Sequence, residues 1–389
     1  MAGTGLPLEG VRVVEMTHMV MGPTCGMILA QLGAEVIKVE PPAGDKTRSL
    51  GGMGTSFFPL FNRGKRSVVL DFGKAEDCET MHRLLETADV FLENFRDGQL
   101  EKQGLGTDEL RKRHPHLIVA GHKGFLSGPY EHRPALDEVV QMMSGLAAMT
   151  GTKDKPQRVG SSANDIMGGM FGVISILAAL YQKRSTGRDD GANIRIGLFE
   201  NCLFLVAQHM VEYEMTGNKP RSMPEREHAW PIYDIFDTAD GNRIFIGVVT
   251  EGHWQAFCRE FGMQEFLDDA TLRTTTDRIM ARSRIIPRAA EIIKGWKLAE
   301  LSRKLDALNI CFSPINRPED LFNDPHVLRP GGLVNNFNAD GARFRVPALP
   351  IEWNGANIGE GLKVAPLGAD TADVRAELDR TEKAERKRA

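Results

Sequence analysis

Short runs of β-branched and apolar residues alternate with longer stretches of helical spacing along the N-terminal half of the chain. Val11–Met16 and Glu35–Glu40 predict strands, and the apolar stretch Thr24–Gln31 between them predicts a helix that ends at Gly33. A strand, a helix and a second strand within about thirty residues form a βαβ unit, whose strands pair in parallel. The chain therefore opens with the pattern of an α/β domain.

The same pattern continues downstream of this unit. It predicts further strands at 67–71, 89–93, 116–120 and 191–197, and further helices at 77–87 and 200–215. Strands that alternate with helices predict the α/β class with a parallel sheet. The first strand-to-helix turn, His18–Pro23, contains no GxGxxG, so the fingerprint of a dinucleotide-binding site is absent.

The pattern changes between 217 and 230, where Pro220, Pro224 and a cluster of charges predict a linker. After it, predicted strands at 233–237 and 243–249 flank Ala239-Asp-Gly-Asn, a sequence that favours a hairpin turn. Three helical stretches and one short strand follow, at 252–261, 278–294, 297–308 and 311–315. These elements predict a second, smaller α+β domain.

We therefore expect a large domain over 1–216, a linker over 217–230, a small domain over 231–324 and a C-terminal segment over 325–389. Within that segment, Pro325–Gly368 is rich in Gly, Pro and Asn with few periodic stretches, which is typical of chain that wraps over another surface. Its large apolar side chains need cover, and we expect no groove for them within a single chain. From Thr371 the pattern predicts a charged amphipathic helix with a frayed end.

Composition narrows the class of protein. The 389 residues carry a formal charge of −4, which gives no bias toward nucleic acid or an anionic membrane. Met1–Pro7 lacks the features of an export signal, and the longest apolar run, Met170–Tyr181, is too short to span a bilayer. The 5 cysteines are scattered without CxxC spacing, which argues against disulfides and structural zinc. We expect a cytoplasmic protein that binds no metal, nucleic acid or membrane.

One carboxylate, Asp165, stands out by its neighbours. Small residues precede it, glycines follow it, and the apolar run Val173–Leu180 further on predicts a buried helix. Asn164 or Asp165 would cap the start of that helix. Two interpretations stay open from this segment alone, an ordinary N-cap residue or a nucleophile that forms an acyl intermediate.

Other polar side chains stand where predicted strands end. His18, Asn94 and Lys123 each follow a strand of the predicted sheet, and such sheets bind ligands at the carboxyl ends of their strands. A histidine in this position can also serve only to bond the backbone, and a lysine can be a solvated surface charge. The positions alone do not decide between these interpretations.

Several segments together resemble the class III CoA-transferase family, which includes formyl-CoA transferases, carnitine CoA-transferases and 2-methylacyl-CoA racemases. Each segment is weakly specific, but they occur in the order of the family. The matching segments are Leu8–Glu15, Leu32–Pro42, Asn62–Asp71, Ala88–Phe95, Ser127–Tyr130, Asp137, Ser144–Leu146 and Thr186–Arg188, and the hairpin at 233–249 extends the match.

The resemblance implies a homodimer of two interlocked chains, each with a Rossmann-like large domain, a small domain and a C-terminal segment that crosses back. It implies that Asp165 is the catalytic aspartate and that CoA or acyl-CoA binds the large domain as a substrate, with no permanently bound cofactor. By position in the family's motifs, the residues that would bind CoA are His18, Lys65, Asn94, Phe95, Lys102 and Lys123.

The chemistry of such a reaction needs an acyl carrier. Moving CoA between two carboxylic acids without ATP requires the enzyme to retain the activated acyl group, which a carboxylate nucleophile achieves through a mixed anhydride and an aspartyl-CoA thioester. Each tetrahedral oxyanion needs hydrogen-bond donors, and the backbone N–H groups of Gly168 and Gly169 are the predicted ones.

The sequence also departs from the patterns of two subgroups. Val20 replaces a glutamine of the formyl-CoA transferases, and Glu251–Trp254 replaces their glycine-rich lid, so formyl-CoA and oxalate are not the expected substrates. Leu136 stands where the racemases have histidine and cannot carry a proton, which argues against racemase activity, the alternative function.

Two further questions stay open at this level. A nucleotide-binding oxidoreductase is a third possibility from the βαβ pattern alone, although the missing GxGxxG argues against it. The acid substrate is not specified beyond a small carboxylic acid, with dicarboxylic acids as a candidate class. Basic residues that could bind a distal carboxylate, on charge and loop position alone, are Arg48, Arg221, Arg226 and His228.

Overall fold

The structure, a computed structural model, describes residues 5–226 and 228–386. The chain divides into two compact units, one formed by Met1–Pro224 with His326–Ala389 and the other by Glu225–Pro325. The first division falls inside the stretch predicted as a linker, and the second falls next to the predicted boundary between 324 and 325. The C-terminal segment is thus part of the first unit.

A six-stranded sheet forms the centre of the first unit, and all of its neighbouring strands pair in parallel in the order β3-β2-β1-β4-β5-β6. The strands are β1 (Arg12–Met16), β2 (Glu35–Glu40), β3 (Arg66–Val69), β4 (Val90–Glu93), β5 (Ile118–Lys123) and β6 (Asn193–Gly197). Consecutive residues Val13 and Val14 belong to two different buried clusters, because successive strand residues point to opposite faces. The predicted α/β class with a parallel sheet is confirmed.

Helices cover both faces of this sheet. They are α1 (Met21–Gln31), α2 (Phe57–Asn62), α3 (Ala75–Glu86), α4 (Thr107–Arg113), α5 (Asp137–Met143), α6 (Leu146–Thr150), α7 (Ala163–Thr186) and α8 (Leu198–Thr216), with short 3₁₀ turns at Lys46–Ser49, Gly52–Ser56 and Glu101–Gln103. Helices α1, α7 and α8 contribute to the core on one face, and α3 and α4 to the core on the other.

Two boundaries differ from the prediction in ways that matter for the site. Helix α1 begins at Met21 rather than Thr24, because the first turn of a helix tolerates Pro23, whose missing N–H has no partner to lose there. Strand β5 runs on through Lys123, since its residues from 119 to 123 pair in register with β6. Lys123 therefore belongs to the end of a strand, not to the loop after it.

Glycines allow α7 to lie close against α1. A Cβ on Gly168 would stand 2.5 Å from Cε of Met21, and a Cβ on Gly169 would stand 2.7 Å from Cβ of Thr24 and 2.8 Å from the carbonyl oxygen of Met21. Gly172 is equally confined by the His122 ring. These glycines are therefore explained by the packing of two helices.

We expect Gly169→Ala to lower the free energy of unfolding by about 1–3 kcal/mol, because the added methyl group meets a backbone oxygen and a β-branched side chain that cannot move aside. In an open helix the same change would stabilise by about 1 kcal/mol. Urea denaturation measures the difference. Gly252→Ala in the second unit is the control, since its Cβ would make only an ordinary contact, at 3.9 Å. A stabilised Gly169→Ala protein would contradict this account of the helix contact.

Helix α7 has 24 residues and, among the helices in the described ranges, is the one long and apolar enough to cross a membrane by length and composition. The predicted run Met170–Tyr181 is thus only the middle of a longer helix. The core helix of a soluble protein meets the same criteria, and α7 packs on α1 and on the sheet through Val173 and Ile176.

The second unit has its own antiparallel sheet and core. The sheet has the order β7-β8-β9, with strands β7 (Ile232–Asp237), β8 (Arg243–Val248) and β9 (Cys311–Pro314), and its helices are α9 (Glu251–Glu260), α10 (Gln264–Asp268), α11 (Thr275–Met280), α12 (Arg282–Ile293) and α13 (Leu298–Ala307). The predicted hairpin is present. The helix predicted to begin at Arg278 begins at Arg282, because α11 ends just before it.

The C-terminal segment contains more structure than the sequence predicted. After a 3₁₀ turn at Asp320–Asn323, it forms two hairpins and a helix, β10 (Leu333–Phe337) with β11 (Arg343–Pro347), β12 (Glu352–Trp353) with β13 (Ala356–Asn357), and α14 (Thr371–Arg386). Val334 and Val346 are buried within the chain, whereas Leu328, Ile351 and Trp353 are exposed, so the expectation that a single chain offers the segment no cover is corrected only for the first two. Helix α14 packs on β3 and α3; the predicted frayed end lies partly outside the described residues.

Candidate active site

The order of the strands brings two predicted residues together. The order in which the chain adds strands to the sheet reverses between β1 and β4. Ligands of open α/β sheets bind at the carboxyl ends of the strands beside such a reversal. His18 follows β1 and Asn94 follows β4. The His18 N–H donates to Oδ1 of Asn94 at 2.9 Å, and Nδ2 of Asn94 donates to the His18 carbonyl oxygen at 2.7 Å. These two bonds join the loops on either side of the reversal.

Phe95 and Lys123 lie at the same edge of the sheet. The rings of His18 and Phe95 are 5.4 Å apart. The Lys123 ammonium donates to the Phe95 carbonyl oxygen at 2.9 Å and pairs with Glu93 at 2.9 Å and Asp97 at 3.1 Å. Four of the predicted CoA-binding residues are thus neighbours, but two carboxylates already balance the lysine charge.

The other two predicted lysines lie elsewhere. Lys65 is buried, with its side chain 2% exposed, and its ammonium donates to Glu15 at 2.8 Å, the Pro23 carbonyl oxygen at 3.0 Å and Asn62 at 3.1 Å. A lysine has three donors, so this one has none left for a ligand. Lys102 is exposed on a 3₁₀ turn and does not line the cavities described below. The structure therefore does not support the predicted CoA contact of Lys65.

Asp165 stands in the first turn of α7, but not at its cap. The helix begins at Ala163 with Ser162 as the N-cap residue, so the prediction that Asn164 or Asp165 caps the helix is wrong. Asn164 is buried and donates to the Leu198 carbonyl oxygen at 3.0 Å, while Asn201 donates to Oδ1 of Asn164 at 2.7 Å. These bonds fasten the start of α7 to α8.

The predicted donors Gly168 and Gly169 lie inside α7. In an α-helix the N–H of each residue bonds to the carbonyl oxygen four residues earlier, so these two N–H groups are not available to an oxyanion. This corrects their assignment as oxyanion donors. Because these glycines have no side chains, α1 packs closely against them.

A second carboxylate, Asp137, touches the backbone of the first. Its Oδ1 accepts the N–H of Asp165 at 3.2 Å, and its Oδ2 accepts Nε2 of Gln141 at 2.6 Å. Oε1 of Gln141 in turn accepts the Val159 N–H at 2.9 Å. In the sequence Asp137 is recognisable only as part of a motif, and this role is not predictable because a contact between residues 28 apart leaves no periodic signal.

The surroundings of Asp165 raise its pKa to about 7, first through burial and then through the negative charges of Asp137 and Glu138. Burial also raises the pKa of Asp137. Burial lowers the pKa of His18 and that of His122, the latter to about 4, so both rings are neutral at pH 7. At neutral pH a large fraction of Asp165 is therefore an ionised, half-buried carboxylate.

Two adjoining cavities, of about 250 Å³ and 390 Å³, lead from Asp165 to the loops at the sheet reversal. Asp165 lines the first, together with His18, Met19, Val20, Met21, Met53, Phe57, Asn94, His122, Lys123, Gly124, Ala135, Leu136, Asp137, Glu138, Arg158, Ser162 and Leu198. The second shares seven of these residues and adds Phe95, Arg96, Asp97, Gln99, Glu131, His132 and Arg133. A long, thin ligand would fit such a path, with its reactive end at Asp165.

The basic residues considered for a distal carboxylate do not line these cavities. Arg48 pairs with Glu40 at 2.7 Å and lies over the Phe58 ring, 3.9 Å from its centre. Arg221 belongs to the first unit, whereas Arg226 and His228 belong to the second. The arginine that lines the first cavity beside Asp165 is Arg158, which the sequence analysis missed although it stands only seven residues before Asp165.

Among the residues that the structure describes, no three side chains of His, Cys, Asp or Glu are grouped as metal ligands would be. All 5 cysteines are free thiols.

The chain is similar to proteins of known family and activity. A sequence model of the CoA-transferase family III matches residues 8–371. The succinate–glutarate CoA-transferase of Agrobacterium fabrum is 31% identical over 390 residues, which cover 97% of each chain. The acetyl-CoA:oxalate CoA-transferase of Acetobacter aceti is 36% identical over 357 residues, which cover 90% of each.

A solved structure matches the fold as a whole. The crystal structure of a CAIB/BAIF family protein from Brucella suis superposes with a TM-score of 0.85 at 32% sequence identity. The match covers 96% of this chain and 99% of that one. Similarity in sequence and in fold thus extends over both units of the chain.

Proposed function

The chain belongs to CoA-transferase family III, and we propose that it moves CoA from an acyl-CoA donor to a small carboxylic acid with Asp165 as the covalent carrier. The observation that carries this proposal is the position of Asp165, a half-buried carboxylate that lines the first of the two adjoining cavities together with His18, Asn94 and Lys123. A nucleophile of this kind has to be ionised yet poorly hydrated, which fits a carboxyl group whose pKa burial raises to about 7.

The reaction takes place in two steps at the Asp165 side chain, which are then reversed with the acceptor acid. An oxygen of Asp165 attacks the donor thioester and expels CoA thiolate, which leaves a mixed anhydride. The thiolate then attacks the aspartyl carbonyl and expels the donor acid, which leaves an aspartyl-CoA thioester. The acceptor carboxylate attacks that thioester, and the two steps run in reverse to give the new acyl-CoA and free Asp165.

The chain's own residues hold these groups in place. Asp137 accepts the N–H of Asp165 and so fixes the first turn of α7. The oxyanions form beside the N-terminal end of α7, where the helix dipole stabilises negative charge. The loops that carry His18 and Asn94 form the wall along which CoA would lie. The two hydrogen bonds between the Asn94 side-chain amide and the His18 backbone hold these loops together.

The names of the relatives support dicarboxylic acids as substrates. One relative is named for succinate and glutarate and another for oxalate. The second name gives no support to our expectation that oxalate is excluded, so oxalate belongs among the acids to be tested. The racemase alternative is not favoured, since these relatives are named as CoA-transferases and the exposed Leu136 offers no proton carrier at the cavity.

The assembly that the family resemblance implies is also part of the proposal. We infer a cytoplasmic homodimer of interlocked chains, in which the first unit is Rossmann-like and binds CoA. The strand order 3-2-1-4-5-6 of the sheet supports the Rossmann-like assignment. We expect no membrane and no nucleic acid as partners, because the formal charge of −4 gives no bias toward either.

A matrix of acyl-CoA donors and acceptor acids, read by mass spectrometry, tests the proposed activity. New acyl-CoA and a protein adduct of CoA that hydroxylamine removes are the expected results. Deuterium uptake at the α-carbon without transfer would instead support racemisation, and a change in NAD(P)H absorbance would support the oxidoreductase. Either outcome without transfer to any acid would refute the proposed function.

Substitution of Lys123 tests its predicted contact with CoA separately from its role in the stability of the fold. We expect Lys123→Ala to raise the KM for acyl-CoA about tenfold or more, because a charge-assisted hydrogen bond contributes about 1.5–3 kcal/mol. It should also lower the free energy of unfolding by about 3 kcal/mol, since it leaves Glu93 buried without its partner.

The double variant Lys123→Ala/Glu93→Gln separates the two effects. Removing the uncompensated carboxylate should restore the stability, as measured by urea denaturation, while the KM for acyl-CoA stays raised. A KM that returns to the wild-type value in the double variant would show that Lys123 acts only on the fold.

A further inference from the structure

The cavity beside Asp165 contains one cation whose charge is only loosely compensated. Lys123 is held between Glu93 and Asp97, and His18 is neutral at pH 7. Arg158 pairs with a single carboxylate, Glu138, at 2.6 Å, and the Glu138 side chain is 52% exposed. An exposed carboxylate can turn into water at little cost, so Arg158 can exchange it for an anion in the cavity.

A chain of hydrogen bonds fixes the backbone next to Arg158 relative to the nucleophile. The N–H of Val159, its neighbour in sequence, donates to Gln141; Gln141 donates to Asp137; and Asp137 accepts the N–H of Asp165. Three side-chain bonds thus join the backbone at residue 159 to the backbone at residue 165. The backbone from which the Arg158 side chain extends is therefore held in a fixed position relative to Asp165, which favours a ligand that reaches both side chains.

We propose that Arg158 binds the second carboxylate of a dicarboxylic acid acceptor and is therefore a specificity-determining residue; this inference rests on the proposed function. While one carboxylate of the acceptor attacks the aspartyl-CoA thioester, the other would be left without water in the cavity, and an unpaired charge there is costly. Arg158 supplies two parallel N–H donors that match a carboxylate. The apolar side chains of Met53, Phe57 and Leu136 line the same cavity and suit the methylene groups between the two carboxylates.

The test compares acceptors that differ in one group. Succinate and glutarate are paired with butyrate and valerate, and the kcat/KM of each acceptor is measured with the same acyl-CoA donor throughout. The ratio of the dicarboxylic to the monocarboxylic kcat/KM then cancels any effect on the donor half of the reaction. We expect Arg158→Gln to lower this ratio about 10- to 100-fold, the effect of losing a hydrogen-bonded charge pair.

Three further measurements separate the possible roles of Arg158. Arg158→Lys should recover part of the ratio, because it keeps the charge and loses the paired donors. Calorimetric binding of free CoA should be the same in Arg158→Gln and wild type, whereas an arginine that contacts a CoA phosphate would weaken it. Arg188→Gln is the matched control, since Arg188 forms an exposed pair with Asp190 outside both cavities and its loss should leave the ratio unchanged.

Each contrary outcome has a distinct meaning. Equal losses for both kinds of acceptor, or weaker CoA binding in Arg158→Gln, would overturn the assignment of Arg158. A wild-type enzyme that prefers the monocarboxylic acids would overturn the inferred substrate class while leaving the proposed transferase function intact. A wild-type enzyme that transfers CoA to no acid would refute the proposed function itself. The wild-type ratio decides the substrate class even if Arg158→Gln does not fold.

Discussion

Asp165→Ala is expected to lower the kcat of CoA transfer by a factor of about 10³ or more, because the side chain that carries the acyl group and then CoA is gone. No neighbour can take over this role, since Asp137 is already engaged by the Asp165 N–H and by Gln141. Steady-state kinetics with any productive pair of donor and acid measures the loss. Mass spectrometry of the wild type after incubation with donor should show CoA attached to the peptide that contains Asp165.

The isosteric change Asp165→Asn adds a prediction about stability. Because the pKa of Asp165 is about 7 in the folded protein against an ordinary value of 3.8, the folded state holds this proton more tightly than the unfolded chain. The carboxyl group therefore costs no stability below pH 4, and its destabilising effect grows as the pH rises from about 4 to 7. We expect Asp165→Asn to be more stable than wild type by about 2 kcal/mol at pH 8, and equally stable at pH 4.

Ionisation of Asp165 lowers the stability of the fold but should raise the activity. The nucleophile is the carboxylate, so kcat/KM should rise with pH and level off above about 7. Asp154→Asn, an exposed aspartate that lines neither cavity, is the control for both measurements and should behave as wild type. Full turnover by a folded Asp165→Ala protein would refute the covalent role, and an Asp165→Asn protein that is less stable at pH 8 would refute the raised pKa.

Much of the fold was predictable because its signal is local. The runs at Val11–Met16 and Glu35–Glu40 carry β-branched residues on both sides, as is typical of strands in a buried parallel sheet, and they are strands in the structure. The order of the strands was not predictable from such patterns, since pairing between distant strands leaves no periodic trace. That order is what brings His18 next to Asn94.

The site was predictable in part, because the strand ends have a local signal in the sequence and the contacts between distant residues have none. Family motifs pointed to residues at strand ends, and the structure brings His18, Asn94, Phe95 and Lys123 together there. A basic residue in a motif does not reveal its partner, so the sequence predicts Lys65 as a CoA ligand, whereas in the structure it pairs with the buried Glu15.

Glycines raise a related ambiguity, because the sequence does not tell whether a missing side chain makes room for a ligand or for a helix. At Gly168 and Gly169 the neighbour is α1. Arg158 and Gln141 were missed because their importance comes from contacts across the chain, with Glu138 and with the backbone at Val159. Such contacts become visible only once the chain is folded.

The apolar surface of the first unit leads to the second large prediction. Large apolar side chains on α5, α7 and α8 are exposed in a single chain, namely Met142, Met143, Met170, Ile174, Tyr181, Phe204, Leu205, Met210, Val211, Tyr213 and Met215. The sequence predicts the need for a partner at the C-terminal segment, where Val334 and Val346 are buried within the chain but Leu328, Ile351 and Trp353 are exposed. The helical surface carries more exposed apolar side chains than that segment and is the larger one that needs cover.

We expect this surface to be the contact of an obligate homodimer. Covering each large apolar side chain contributes about 1.5–3 kcal/mol, so a few of them are enough to make the monomer scarce at working concentrations. Ile174→Glu with Phe204→Glu places two charges on side chains that are 58% and 68% exposed in the single chain, and should yield monomers or aggregates in light scattering. Met280→Glu changes an exposed apolar residue of the second unit and should leave the dimer intact.

Interlocking makes a stronger demand than dimerisation, because interlocked chains cannot separate without unfolding. Two preparations with different affinity tags, purified separately and mixed under native conditions, should form no mixed dimers over days. The same two preparations unfolded and refolded together should form them in a statistical proportion. If mixed dimers form in neither experiment, the chains have failed to refold. Native mass spectrometry of the refolded material shows whether dimers of any kind are present. Rapid formation of mixed dimers in the native mixture, or a stable wild-type monomer, would show that the chains are not interlocked.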